Sequence, residues 1–80
     1  MNTKTIGTYV LEHLETGAQA KARYPKAALR KARAMGGTVE VSFVVEANPL
    51  AETTFTRIDP QLTDEAAMRE LKRMQRDPLL

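Results

Sequence analysis

Eighty residues, a formal net charge of +2 and no cysteine describe one small domain, which excludes disulfide stapling and thiolate-bound zinc. No apolar run approaches the roughly 20 residues that span a bilayer, and MNTKTIGTYV lacks a signal peptide's apolar stretch, so a cytoplasmic protein without a membrane partner is expected. The aromatic residues are only Tyr9, Tyr24, Phe43 and Phe55, so Val, Leu, Ile, Met and Ala must supply most of a thin core, which makes homodimerisation a reasonable expectation.

Residues 3–14 read as a strand because Thr, Ile, Tyr and Val dominate their early part. Ile6, Thr8 and Val10 would line one face, Tyr9 and Leu11 the other. A helix capped by Thr8 and gathering Val10, Leu11 and Leu14 is the competing pattern. Glu15-Thr16-Gly17 reads as a tight turn, with Gly17 free to take positive φ. Residues 18–24 alternate strictly: Ala18, Ala20, Ala22 and Tyr24 against Gln19, Lys21 and Arg23. Alanine favours helix, but the period of two and the following Pro25 favour a strand that a helix can approach closely.

Pro25 opens a helix over 25–35, where a missing N–H costs no hydrogen bond. Ala28, Leu29, Ala32 and Met35 form its apolar stripe, with Lys26, Arg30 and Arg33 beside it. Gly36-Gly37 stops it. Residues 38–46 are the clearest strand, with Val39, Val41, Phe43 and Val45 facing inward and Glu40, Ser42, Val44 and Glu46 outward. Asn48-Pro49 marks a loop. Residues 52–58 form a shorter strand in which Phe55 and Ile58 differ in parity, the mark of an edge strand or a bulge. Asp59-Pro60 ends it. Thr63 caps a second helix with Asp64 and Glu65 in its first turn. Ala67, Met68, Leu71 and Met74 give that helix its buried stripe, Arg69, Lys72, Arg73 and Arg76 its exposed side. Asp77-Pro78 stops it, leaving Leu79 and Leu80 to fray or dock. The order β-β-α-β-β-α specifies an α+β fold: a largely antiparallel four-stranded sheet with helices packed on one face, in a single domain over 1–80.

Charge is unevenly distributed. Residues 1–39 carry seven Lys/Arg against two Glu, and residues 40–80 carry five against eight acidic residues. Between Glu15 and Glu40 there is no acidic residue, while Lys21, Arg23, Lys26, Arg30, Lys31 and Arg33 all fall in the gap. These six are the candidate binding residues, because solvated helix faces normally mix signs and a single-sign face steers an anionic partner. Lys31 points away from the Arg30–Arg33 stripe on a helical wheel. Guanidinium suits phosphate and carboxylate alike, so the patch by itself fits a nucleic acid or an acidic protein surface.

Catalysis has little to build on. His13 is the sole histidine and reads as a surface or rim residue. Ser42 is the sole serine, in a strand with no second histidine to activate it. No metal-ligand motif, Gly-rich phosphate loop or nucleophile motif is present, and Gly36-Gly37 is a helix stop rather than a phosphate cradle. Glu40 and Glu46 lie about 20 Å apart along one strand, too far for joint acid–base work. A non-enzymatic protein without cofactor or metal is expected.

With the order strand, strand, Pro-started Ala/Arg helix, Gly-Gly, strand, strand assembled, the segment from Tyr9 to Phe55, anchored by ARYPKAALRKARAMGGTVEVSF, resembles small phage and mobile-element accessory proteins of the anti-CRISPR type. The likeness is one of architecture and transfers no residue roles. It implies a stoichiometric inhibitor that docks on a protein or nucleoprotein complex, such as a CRISPR-Cas effector, and blocks nucleic-acid access or recruitment. The acidic second half departs from a simple nucleic-acid binder, and the basic half from inhibitors that mimic DNA. Two other classes stand beside it: a free-standing nucleic-acid-binding module, and a structural homodimer formed through the edge strand near Phe55 or the helix over 64–77.

Overall fold

The computed structural model describes residues 6–78. The elements follow the expected order: β1 (Gly7–His13), β2 (Gln19–Ala22), α1 (Pro25–Met35), β3 (Val39–Val45), β4 (Phe55–Ile58) and α2 (Asp64–Arg76). All four strands are antiparallel in one sheet of order β2-β1-β3-β4. The pairs Tyr9–Phe43, Leu11–Val41 and His13–Val39 set the central register. Period-two alternation then sorts the side chains, with Tyr9, Leu11, Ala22, Val39, Val41, Phe43, Val45 and Ile58 all buried.

Both helices cover this one face. α1 lies against β1 and β2, α2 against β3 and β4, and the two helices touch. α1 buries Ala28, Leu29 and Ala32, and α2 buries Ala67, Leu71 and Met74, so sheet and helices close on a single core. Tyr9 and Phe43 meet edge to face at its centre, 4.9 Å between ring centroids. The Tyr9 hydroxyl donates to the Leu71 carbonyl oxygen at 2.5 Å, tying the middle of α2 to β1. The Phe43 ring lies over Gly7, where a Cβ would strike both the ring and the Val44 carbonyl oxygen.

Thr63 caps α2, its hydroxyl accepting from the Ala66 N–H at 3.1 Å. Gly36 and Gly37 end α1 at φ 75° and 61°, and Gly17 turns the β1–β2 hairpin at φ 77°.

Several expectations differ from the structure. Residues 3–5 of the expected first strand, and Leu79 and Leu80, lie outside the described residues. Tyr24 does not extend the alanine face: β2 stops at Ala22, and Tyr24 begins α1 with extended φ/ψ and is 69% exposed. Met35 and Met68, expected in the buried stripes, pack at the rim of the core and are half-buried. β4 begins only at Phe55, because the Thr54 N–H donates to the Pro78 carbonyl oxygen at 2.8 Å, beside the end of α2. The parity conflict in β4 has a simple resolution. Its register with β3 is unbroken from Ile58 to Phe55, so Ile58 is buried while Phe55 lies on the uncovered face of an edge strand.

Candidate anion-binding face

α1 commits its small residues to the core, which leaves Lys26, Arg30, Lys31 and Arg33 around the rest of its circumference. At about 100° per residue these cannot share one plane. Lys31 and Arg33 fall on opposite flanks, and Arg30 falls on the crest between them. The structure gives each flank a different use.

Arg33 faces α2 and joins the helices. Its guanidinium pairs with Asp64, Nη2 to Oδ1 at 3.0 Å and Nε to Oδ1 at 3.1 Å. It also donates to the Asp59 carbonyl oxygen at 2.8 Å and to the carbonyl oxygen of Leu62. One fork thus holds the loop between β4 and α2 against the end of α1, a geometry a lysine cannot reproduce. Lys31 faces the sheet edge, and its Nζ donates to the Lys21 carbonyl oxygen on β2. That contact occupies a backbone acceptor on an edge strand, a common way of blunting such edges. Of the six candidate cations, Arg33 is therefore a structural clamp and Lys31 an edge cover.

Lys21, Arg23, Lys26 and Arg30 remain exposed, but Lys21 alternates with the buried Ala22 and so projects from the uncovered face of the sheet, away from α1. The chain has seven arginines. Arg33, Arg57, Arg69, Arg73 and Arg76 each lie within ion-pair distance of a carboxylate. Among the described residues only Arg23 and Arg30 have no such partner, and both belong to this face. The start of α1 adds to the positive field: no side chain caps it, Pro25 occupies its first turn, and that turn holds no acidic residue. Tyr24, a large exposed side chain between Arg23 and Lys26, lies beside these cations rather than on the core face that strict alternation predicts for it.

The folded charge distribution follows layers rather than halves of the chain. The two helices carry eight basic and three acidic residues, and the rest of the chain carries four basic and seven acidic. The helices are thus net basic, and Lys72 of α2, exposed and without an ion-pair partner among the described residues, is one of their cations.

His13 is not at the surface. As the last inward position of β1, opposite Val39, it is only 8% exposed. Its Nδ1 accepts the N–H groups of Glu15 and Thr16, each at 3.2 Å, so the ring hydrogen sits on Nε2. A Cβ on Gly37 would come within 2.9 Å of that Nε2. The histidine therefore fastens the β1–β2 turn. An open cleft beside it is lined by Leu14, Glu15, Thr38, Arg57 and Pro60. No group of three or more metal-ligating side chains occurs among the described residues, and no described helix is long and apolar enough to cross a membrane. Among the described residues Tyr9 is the one titratable group whose ionisation is strongly displaced: burial pushes its phenol well above the ordinary tyrosine value.

Comparison with known proteins leaves the reading to these residues: no family model matches the chain, and neither do any curated protein or any solved structure.

Proposed function

We propose that this is a non-enzymatic, cytoplasmic binding protein that docks through Arg23, Lys26 and Arg30 on the anionic surface of a nucleoprotein complex. It acts as a stoichiometric inhibitor of the kind its architectural likeness to anti-CRISPR proteins implies. The observation that supports this most is the pairing pattern of the arginines. Five are held by carboxylates, whereas Arg23 and Arg30 stand exposed without one among the described residues, and α1 itself holds no acidic residue. A folded chain gains little from such a face in isolation, because like charges repel and exposed cations contribute no packing. An anionic partner makes use of it.

The test is an affinity pull-down from a phage-susceptible bacterial lysate, with and without nuclease, using the native protein and a Lys26→Glu, Arg30→Glu variant. Both positions are exposed, so the variant keeps the fold. Recovery of a defined protein–nucleic-acid complex by the native protein alone is the expected result. Equal recovery by the variant would remove the site.

A further inference from the structure

We infer that the basic face takes single-stranded nucleic acid, with Tyr24 as a platform for one base and Arg23, Lys26, Arg30 and Lys72 around it as phosphate contacts. This rests on the docking face proposed above and names what that face meets.

The placement of Lys72 follows from the helix pair. Arg33, near the end of α1, pairs with Asp64 at the start of α2, and α2 ends beside Thr54, at the end of the sheet from which α1 begins. The helices therefore run antiparallel. Lys26 lies seven residues before Arg33 and Lys72 eight after Asp64, about 10 and 12 Å from the clamp at 1.5 Å per residue. The two lysines come to the same level on neighbouring helices. Arg30 sits one turn from Lys26 on the crest of α1. Arg23 and Tyr24 occupy the corner where the chain leaves β2.

The composition of this surface selects the partner. A protein interface is centred on apolar and aromatic anchors. Among the described residues the large apolar side chains that are exposed are Ile6, Leu14, Tyr24, Leu50 and Phe55, and neither helix contributes one. The helical layer thus offers dispersed cations and, at its edge, a single aromatic ring. Dispersed cations suit phosphates, where binding energy comes from counterion release. A lone exposed ring beside them suits an unpaired base, whose face is free to stack; in a duplex that face is hidden.

Tyrosine fluorescence reads the contact directly. The chain has two tyrosines and no tryptophan. Tyr9 is wholly buried and Tyr24 is 69% exposed, so a stacked base quenches Tyr24 alone. The experiment is a titration of the full chain with oligothymidylate and with a DNA duplex of equal length, at several salt concentrations, followed by fluorescence and by anisotropy of labelled DNA. Quenching by the single strand is expected, with log K against log salt falling at a slope of about −2 to −3 for three or four phosphate contacts. Tyr24→Leu should weaken binding about 5- to 150-fold, while Tyr24→Phe should retain it. Binding that leaves tyrosine emission unchanged and survives Tyr24→Leu would overturn the stacking site. Tighter binding to the duplex would overturn the single-strand assignment. Failure to bind either DNA at low salt would overturn the inference, while the docking reading would stand or fall separately on whether the lysate complex is lost with Lys26→Glu, Arg30→Glu.

Discussion

Tyr9 is where burial, hydrogen bonding and ionisation converge on one side chain. Its ring meets Phe43, its hydroxyl donates to Leu71, and its burial disfavours the phenolate. The folded state therefore holds this proton to higher pH than the unfolded chain, in which tyrosine titrates near about 10. The sign follows by linkage. Tyr9 contributes its full stability below about pH 10, and that contribution shrinks as pH rises further, because the unfolded chain then binds fewer protons than the folded one. Urea unfolding at pH 8 and at about pH 11 should show a loss at the higher pH. Tyr9→Phe should lower stability by about 1 kcal/mol at pH 8, the net worth of the hydroxyl's hydrogen bond. It should also reduce the alkaline loss. An unchanged alkaline loss in Tyr9→Phe would mean that another group governs it.

Arg33 carries the corresponding argument for whole elements, since α1, α2 and the loop between β4 and α2 meet at its guanidinium. Arg33→Ala should lower stability by about 1.5 kcal/mol or more, the scale of hydrogen bonds to a charged group. Arg33→Lys should recover little of it, because an ammonium cannot span the same acceptors. Thermal unfolding of the three proteins reads this directly; full recovery by lysine would reduce the clamp to a simple ion pair. Nothing local in the sequence announces it. Arg33 belongs by spacing to the stripe of Lys26 and Arg30, and its partners lie 26 to 31 residues away along the chain. By contrast, the bounds of α1 were legible because Pro25 and Gly36-Gly37 act locally, and those of β3 because Val39, Val41, Phe43 and Val45 alternate without interruption. The order β2-β1-β3-β4 was not, since strand pairing is a long-range choice. His13 lay within reach of the same alternation: it falls inside the strand expected over residues 3–14 and is the next inward position after Tyr9 and Leu11, so the period of two places it on the buried face. The candidate site was legible as a gap in acidic residues. Which cations remain free depended on contacts across the fold.

At the scale of the molecule, the two helices carry eight basic against three acidic residues, while the rest of the chain is net acidic. Local rules alone would not arrange α1 this way. Lys26 lies in the first turn, where the helix dipole favours a carboxylate and disfavours an ammonium; α2 obeys that preference with Asp64 and Glu65. Arg30, one turn on, has no ion-pair partner among the described residues to offset the repulsion. Lys26→Glu should therefore raise the stability of the isolated protein by about 0.3–1 kcal/mol while weakening its docking. The two effects pull apart in a way that a structural role for the lysine does not allow, since a side chain needed for folding would lose stability and binding together. Thermal midpoints at low salt, set beside recovery of the partner complex, measure both. A lower midpoint would show that Lys26 supports the fold. A raised midpoint with undiminished docking would place the binding surface elsewhere. A raised midpoint with lost docking is the expected result, and it would mean that the chain accepts an unfavourable charge at the start of α1 because the partner supplies the missing anion.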